Sequence, residues 1–133
     1  MKLINNVILL AFAFAFAHCN SQNAKSSPTA LKNAFKGDFY IGTALSADQI
    51  DEKDAAVNAL IRKEFNAITA ENSMKSMFIH PAKDTYDFAT TDKFVSYGEK
   101  NKMFIHGHTL IWHSQLAPWM AAIKDSVEMK AFM

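Results

Sequence analysis

Apolar residues in this chain fall into two patterns: compact runs of strand length, and stretches where they return every three or four positions. Phe39–Thr43 (FYIGT), Phe65–Ala70 (FNAITA) and Met103–Gly107 (MFIHG), the last extending toward Thr109, are runs of the first kind and predict three short strands. Asp51–Phe65 is of the second kind and predicts a helix with Val57, Leu60 and Ile61 on one face. Its charges agree with the helix dipole, since Asp51, Glu52 and Asp54 open it and Arg62 and Lys63 close it. A second helix is predicted from about Thr91 to Asn101, with Phe94 and Tyr97 inward and Thr90 or Thr91 as N-cap. Asp125 followed by Glu128 marks the start of a further helical run, Val127–Met133. Strand, helix, strand, helix, strand is the order of an α/β fold with a parallel sheet and right-handed crossovers.

The second and third strands both end in polar and aromatic residues. Ala70 opens onto Glu71, Asn72 and Lys75, and the third strand leads into His108, Trp112 and Gln115. Side chains beyond the carboxyl ends of neighbouring parallel strands face one another, so the two tips predict one shared site. An amide offers donors and acceptors, and an ammonium offers three donors, which suits a hydroxyl-rich ligand. Each residue also has a plainer reading. Glu71 and Lys75 stand at ion-pair spacing for a helix, Asn72 is a turn former, and Lys75 reads equally well as an exposed charge. His108 reads as a core imidazole and Trp112 as packing at the sheet's mouth. Trp119 is expected in core or loop packing, and His80, before Pro81, as a surface or capping imidazole. His106 and His108, two apart on a strand, would share a face and so resemble a metal-binding pair. Only His113 lies near enough in sequence to add a third ligand, and no metal is expected.

The segments FNAITAENSMK and GHTLIWHSQLAPW resemble the two signature motifs of glycoside hydrolase family 10, the endo-xylanases. The similarity runs from Leu31 to Trp119 and includes YDFATTDKFVSYGEKNKMFIHGHTLIWHSQ. It implies the N-terminal portion, about three βα units, of a (β/α)8 TIM barrel. A whole barrel takes about 250 residues, against roughly 100 here once the first 30 are set aside. The resemblance implies endo-hydrolysis of 1,4-β-D-xylosidic linkages in xylan by a retaining mechanism without a cofactor. That chemistry uses two carboxyl groups about 5 to 5.5 Å apart. The family's pair follows the fourth and seventh strands, so no catalytic residue is expected in this chain. Glu71, Asn72 and Lys75 match glycone-side sugar-binding positions. His108 and Gln115 match residues that hydrogen-bond sugar hydroxyls, and Trp112 matches a cleft wall, with His113 supporting them from behind. Ser76 departs from the many relatives that place Trp after the lysine. The chain by itself is expected to be inactive, with an unpaired sheet edge on each side. The rival readings are a non-catalytic carbohydrate-binding fragment and a metal-dependent TIM-barrel hydrolase built on His106 and His108.

Composition adds little to this and excludes something. The 133 residues are half hydrophobic with a formal net charge of +1, which gives no footprint for nucleic acid, and a monomer is expected. Xylan or xylo-oligosaccharides are the expected partners. Residues 1–19 read as a signal peptide: Lys2, then an apolar run from Val7 to Ala17 that is short for a bilayer span. Cleavage after Ala17 and lipidation of Cys19 are competing expectations, although His18 stands where a lipidation motif prefers a small residue. Either implies export, as a secreted, periplasmic or outer-membrane and cell-surface lipoprotein of a bacterium, with a lipidated Cys19 as membrane tether. Residues 20–30 are small and polar and read as a flexible linker before the domain at 31–133. Cys19 is the sole cysteine, so the domain holds no internal disulfide.

Overall fold

The computed structural model describes residues 29–131. The expected leader, Cys19 and nearly all of the expected linker lie outside the described residues, as do the last two positions of the C-terminal helical run. Three parallel strands form one sheet in chain order: β1 (Gly42–Leu45), β2 (Ala67–Ala70) and β3 (Phe104–His106). The helices are α1 (Leu31–Ala34), α2 (Ala47–Ile50), α3 (Ala55–Glu64), α4 (Ser76–Ile79), α5 (Ala89–Lys100), α6 (Pro118–Ala121) and α7 (Ser126–Ala131). Consecutive βα units of this kind are what a portion of a (β/α)8 barrel contains.

Several predicted boundaries move, each for a local reason. β1 starts at Gly42 and not Phe39, because Phe39 and Tyr40 turn outward to stack on Phe35 and Phe104 at 4.9 and 4.8 Å. The Ile41 amide is taken instead by Asn66 Oδ1 at 2.7 Å. The helix expected from Asp51 begins instead at Ala55, since Glu52, in the turn that follows α2, adopts a left-handed φ of 54° that no α-helix continues. α3 begins where Asp54 accepts from the amides of Ala56 and Val57, at 2.9 and 3.0 Å. The inward face of α3 is also corrected. Leu60 is exposed, and Asn58 lies buried next to Ile61. α5 begins at Ala89 with Phe88 as N-cap, and the predicted cap Thr91 donates its hydroxyl to the Ser73 carbonyl at 3.0 Å. Near the C-terminus the expectation holds, with Asp125 accepting from the Val127 amide at 2.9 Å.

The core lies between the sheet and its helices. In-register pairing of Thr43 with Ile68 and of Ile68 with Ile105 directs Leu45, Ile68, Ala70 and Ile105 toward the helical layer. There they meet Ile61, Phe94, Tyr97 and Met103, with Phe94 fully buried. Gly98 lets α5 approach closely, because a methyl group at that position would sit 2.6 Å from Ile105 Cγ1. A polar link crosses the same layer: the Tyr97 hydroxyl donates to Asn58 Oδ1 at 2.9 Å, and Asn58 Nδ2 donates to the Asp54 carbonyl at 3.1 Å. Burial raises the Tyr97 phenol above its ordinary value. The opposite face carries the small residues Gly42, Ala44 and Ala67 beside Thr69, Phe104 and His106, and the outer edges of β1 and β3 pair with no strand among the described residues.

A surface network joins α3 and α5. Glu52 accepts from Lys100 Nζ at 2.8 Å and also pairs with Arg62. The hydrogen bond from Lys100, aided by Arg62, holds its carboxyl below the ordinary glutamate value of 4.5.

Two outcomes follow for stability. Phe94→Ala should cost about 3–5 kcal/mol in chemical denaturation, the range for emptying a buried aromatic site; a loss under about 1 kcal/mol would contradict the assigned core. For Glu52 the folded value lies below the unfolded one, so its contribution is present above pH 4.5 and vanishes as pH falls through the folded value. Glu52→Gln should therefore melt at lower temperature than the parent chain near neutrality, with the difference closing in acid. A difference that does not change with pH would remove the ion pairs as its cause.

Candidate functional site

The site begins where β2 stops. The Glu71 amide makes the last contact to β1, donating to the Leu45 carbonyl at 3.0 Å, and the chain then turns through an Asn72 carbonyl to Lys75 amide bond of 2.9 Å. That turn sends the Lys75 side chain inward, where it is only 6% exposed. A buried ammonium needs partners to replace water. Nζ donates to the Glu71 backbone carbonyl and to His108 Nδ1, both at 3.1 Å, and lies 5.2 Å from the centre of the Trp112 ring, within cation–π range. An ammonium has no lone pair to offer, so Nδ1 of His108 must be the acceptor. The imidazole proton then sits on Nε2. His108 itself is exposed and meets Trp112 edge-on at 6.2 Å, while Trp112 meets His113 edge-on at 5.5 Å.

A second connection runs in parallel. Gln115, in a left-handed conformation with φ of 53°, donates Nε2 to Asn72 Oδ1 at 3.0 Å. Its carbonyl accepts from the Met77 amide at 3.1 Å and the Ser76 hydroxyl at 3.3 Å, which fastens the loop after β3 to the start of α4. Asn72 Nδ2 remains as a donor and Gln115 Oε1 as an acceptor. Glu71 is exposed, and its carboxylate has no hydrogen-bond partner among the described residues. The structure thus brings Glu71, Asn72, Lys75, His108, Trp112 and Gln115 onto one rim. What it assembles is a set of donors and acceptors beside an aromatic face, with Glu71 as the carboxylate of the cluster.

Some plainer readings fail and one holds. Lys75 is not an exposed charge, and it engages the Glu71 carbonyl instead of forming the helical ion pair. His108 is not a core imidazole. Asn72 does form a turn while also presenting its amide. His106 and His108 do not form a same-face strand pair, because β3 ends at His106 and His108 points a ring nitrogen at a cation. Among the described residues no three His, Cys, Asp or Glu side chains gather as a metal site. His80 is buried, not superficial: it stacks on Tyr86 at 4.1 Å and meets Trp119 edge-on at 4.6 Å, and Trp119 Nε1 donates to its carbonyl at 2.9 Å. Trp119 packs, as expected, but from within α6 and against His80.

Sequence reasoning missed the neighbourhood of Asn72. A cavity of about 280 Å³ opens beside it, between the tip of β1, the turn after β2 and the start of α5, and Ser46, Ser73, Phe78, Asp87 and Thr91 help to line it. These residues come from four separate segments, and no local spacing signals them.

Comparison with known proteins bears on this geometry. The profile of the family described as Glycosyl hydrolase family 10 matches residues 30–133. The chain is 41% identical over 106 residues to the endo-1,4-beta-xylanase A of Xylanibacter ruminicola, covering 80% of this chain and 28% of that protein. It is 38% identical over 127 residues to the beta-1,4-xylanase of Dictyoglomus thermophilum, covering 94% of this chain and 34% of that one. Among solved structures it is similar to xylanase 10B from Thermotoga petrophila RKU-1 in complex with xylobiose, with a TM-score of 0.66 and 34% identity, covering 77% of this chain and 32% of that one. The chain therefore spans about a third or less of the length of the relatives it matches.

The Lys75 contact makes one spectroscopic statement. Nitrogen-15 NMR should find neutral His108 as the Nε2–H tautomer, and Lys75→Met should release that preference. An Nδ1–H tautomer in the parent chain would show that the ammonium does not face this ring.

Proposed function

Because the chain belongs to glycosyl hydrolase family 10, we propose that its rim grips the glycone-side sugars of a β-1,4-linked xylan chain, as part of a retaining endo-1,4-β-xylanase. The observation that carries this reading is the meeting of two strand tips. Lys75 joins the turn after β2 to His108 and Trp112, and Asn72 joins the same turn to Gln115. The relatives at 41% and 38% identity are themselves named xylanases.

Each group has a task a sugar would use. Glu71 accepts from hydroxyls, Asn72 Nδ2 donates to a hydroxyl oxygen, and the third N–H of Lys75 does the same. Gln115 and His108 Nε2 supply an acceptor and a donor on the facing side. Trp112 offers a ring face to the C–H surface of a pyranose. Charge-assisted hydrogen bonds make Glu71 and Lys75 the stronger contributors.

Bond cleavage by the retaining route needs a second carboxyl group about 5 to 5.5 Å from the first, one as nucleophile and one as acid and base. Glu71 alone on this rim can bind a sugar but cannot divide those roles. These residues accordingly act as the glycone grip, and the bond-breaking pair belongs to barrel units beyond these three strands. The reaction needs no cofactor. Export suits a substrate too large to enter a cell, which is how the leader and a lipid tether at Cys19 fit this reading, with the domain acting as a monomer.

Calorimetric titration with xylobiose tests the grip. Asn72→Ala and Glu71→Gln alter exposed positions, and each should weaken binding about tenfold, the equivalent of one good hydrogen bond. Reducing-sugar assays on xylan should show no turnover by this chain. Turnover that disappears in Glu71→Gln would overturn the division between grip and catalysis.

A further inference from the structure

We propose that Trp119 is a positioning residue for the rim: with His80 it forms a latch at the far end of the loop after β3, and closure of this latch and binding of sugar at the rim favour one another. The inference rests on the sugar-gripping reading above and adds to it two residues that touch no sugar.

The loop and its support are fastened in register. Residues 75–80 form one short rail, α4 with a single residue at each end. The loop and the start of α6 meet that rail three times, in the same order along both segments: His108 at Lys75, Gln115 at Ser76 and Met77, and Trp119 at His80. The first two fastenings use rim residues. The third lies outside the rim, where indole Nε1 donates to the His80 carbonyl at 2.9 Å and the indole meets the imidazole edge-on at 4.6 Å. Tyr86 stacks on the same imidazole at 4.1 Å and keeps it in place.

Packing alone does not hold the loop. A space of about 300 Å³ stays open between it and α4, lined by Ile79, His80, Gly107, Leu110 and Met120 among others, so the loop is an arch carried by its fastenings. Gln115 stands in that arch with a φ of 53°, a conformation that costs free energy in a residue with a Cβ and persists only where its surroundings impose it. Ser76 and Met77 pin its carbonyl. In the other direction the chain runs through Ala117, fully buried, and Pro118, whose ring fixes φ, directly into Trp119. A shift of Trp119 therefore reaches Gln115 along a stiff path, and Gln115 Nε2 is the group that orients the Asn72 amide at 3.0 Å.

The latch also has a cost. His80 Nε2 is buried with no hydrogen-bond partner among the described residues, which the ring contacts must offset. A contact balanced in this way is open to bias by a ligand that prefers the closed form. Such bias is reciprocal, so whatever closure adds to sugar affinity, bound sugar returns to closure.

Hydrogen exchange tests this on the unaltered chain. Trp112 and Trp119 are its two tryptophans, so NMR yields two indole N–H signals, and Trp112→Phe tells them apart. In the free chain the Trp119 indole should exchange faster than the Phe94 amide, because the latch opens while the core stays folded. Saturating xylobiose should slow the Trp119 indole at least about fivefold, the lower end of usual couplings between sites. Trp119→Phe keeps a ring against His80 and removes the donor. It should weaken xylobiose at least about fivefold and move the Gln115 side-chain amide signals, while His108 keeps its Nε2–H tautomer. A tryptophan that only stabilises the fold would lower the melting temperature on substitution and leave xylobiose affinity as it was. The proposal is overturned by that result, by a Trp119 indole that exchanges at the core rate, or by exchange that xylobiose does not slow. If Trp119→Phe fails to fold, the exchange measurement on the parent chain decides alone. Should xylobiose not bind the parent chain at all, the sugar-gripping reading falls and the latch falls with it.

Discussion

The buried ammonium of Lys75 is the constraint from which the functional end of this molecule is built. A charge removed from water has to be met by dipoles or aromatic faces, and no single element here supplies enough of them. The Glu71 carbonyl comes from the end of β2, while His108 and Trp112 come from the loop after β3. Satisfying the lysine therefore fixes two strand tips relative to each other. The Asn72–Gln115 bond and the bonds from Ser76 and Met77 to the Gln115 carbonyl make the same junction with neutral groups. A site held in two independent ways is preorganised, and ordering it on ligand binding costs less.

The sheet beneath has two unlike faces. Toward the helices it is sealed by Leu45, Ile68 and Phe94 and by the Gly98 approach, with the Tyr97–Asn58 bond as the polar exception. That exception is satisfied on both sides, which is what allows an amide and a phenol to lie in an apolar layer. Toward the other face, Gly42, Ala44 and Ala67 leave room for side chains from elsewhere in a barrel, and Thr69 Oγ1 is buried with no partner among the described residues. The family supplies the explanation, because these are the positions that line a barrel's interior.

How much of this was readable in advance depended on the range of the interaction. The strand and helix order follows from local periodicity, and the inward positions of Phe94 and Tyr97 were legible for that reason. The boundaries were less so. Whether the strand begins at Phe39 or Gly42 is decided by Asn66, twenty-five positions away, capturing the Ile41 amide. The break between α2 and α3 depends on a backbone conformation at Glu52 that its residue type does not advertise. The rim residues were legible because each group follows its strand directly and because the motifs are distinctive. Their wiring was not, since Lys75 looked like a partner for the Glu71 carboxylate and instead uses its carbonyl. His80 was misread for the same kind of reason: Trp119, which covers it, is thirty-nine residues downstream.

The position of α1 sets a direction for the whole domain. The Leu31 amide donates to Glu64 Oε2 at 2.8 Å, and Lys32 Nζ reaches the Arg62 carbonyl, so the first described helix is strapped to the closing turn of α3, beside the amino ends of the strands. The rim lies at their carboxyl ends. The first described residues thus sit at the floor of the domain while the rim occupies its roof. A support joined to that floor would leave the rim pointing away from it and open to solvent.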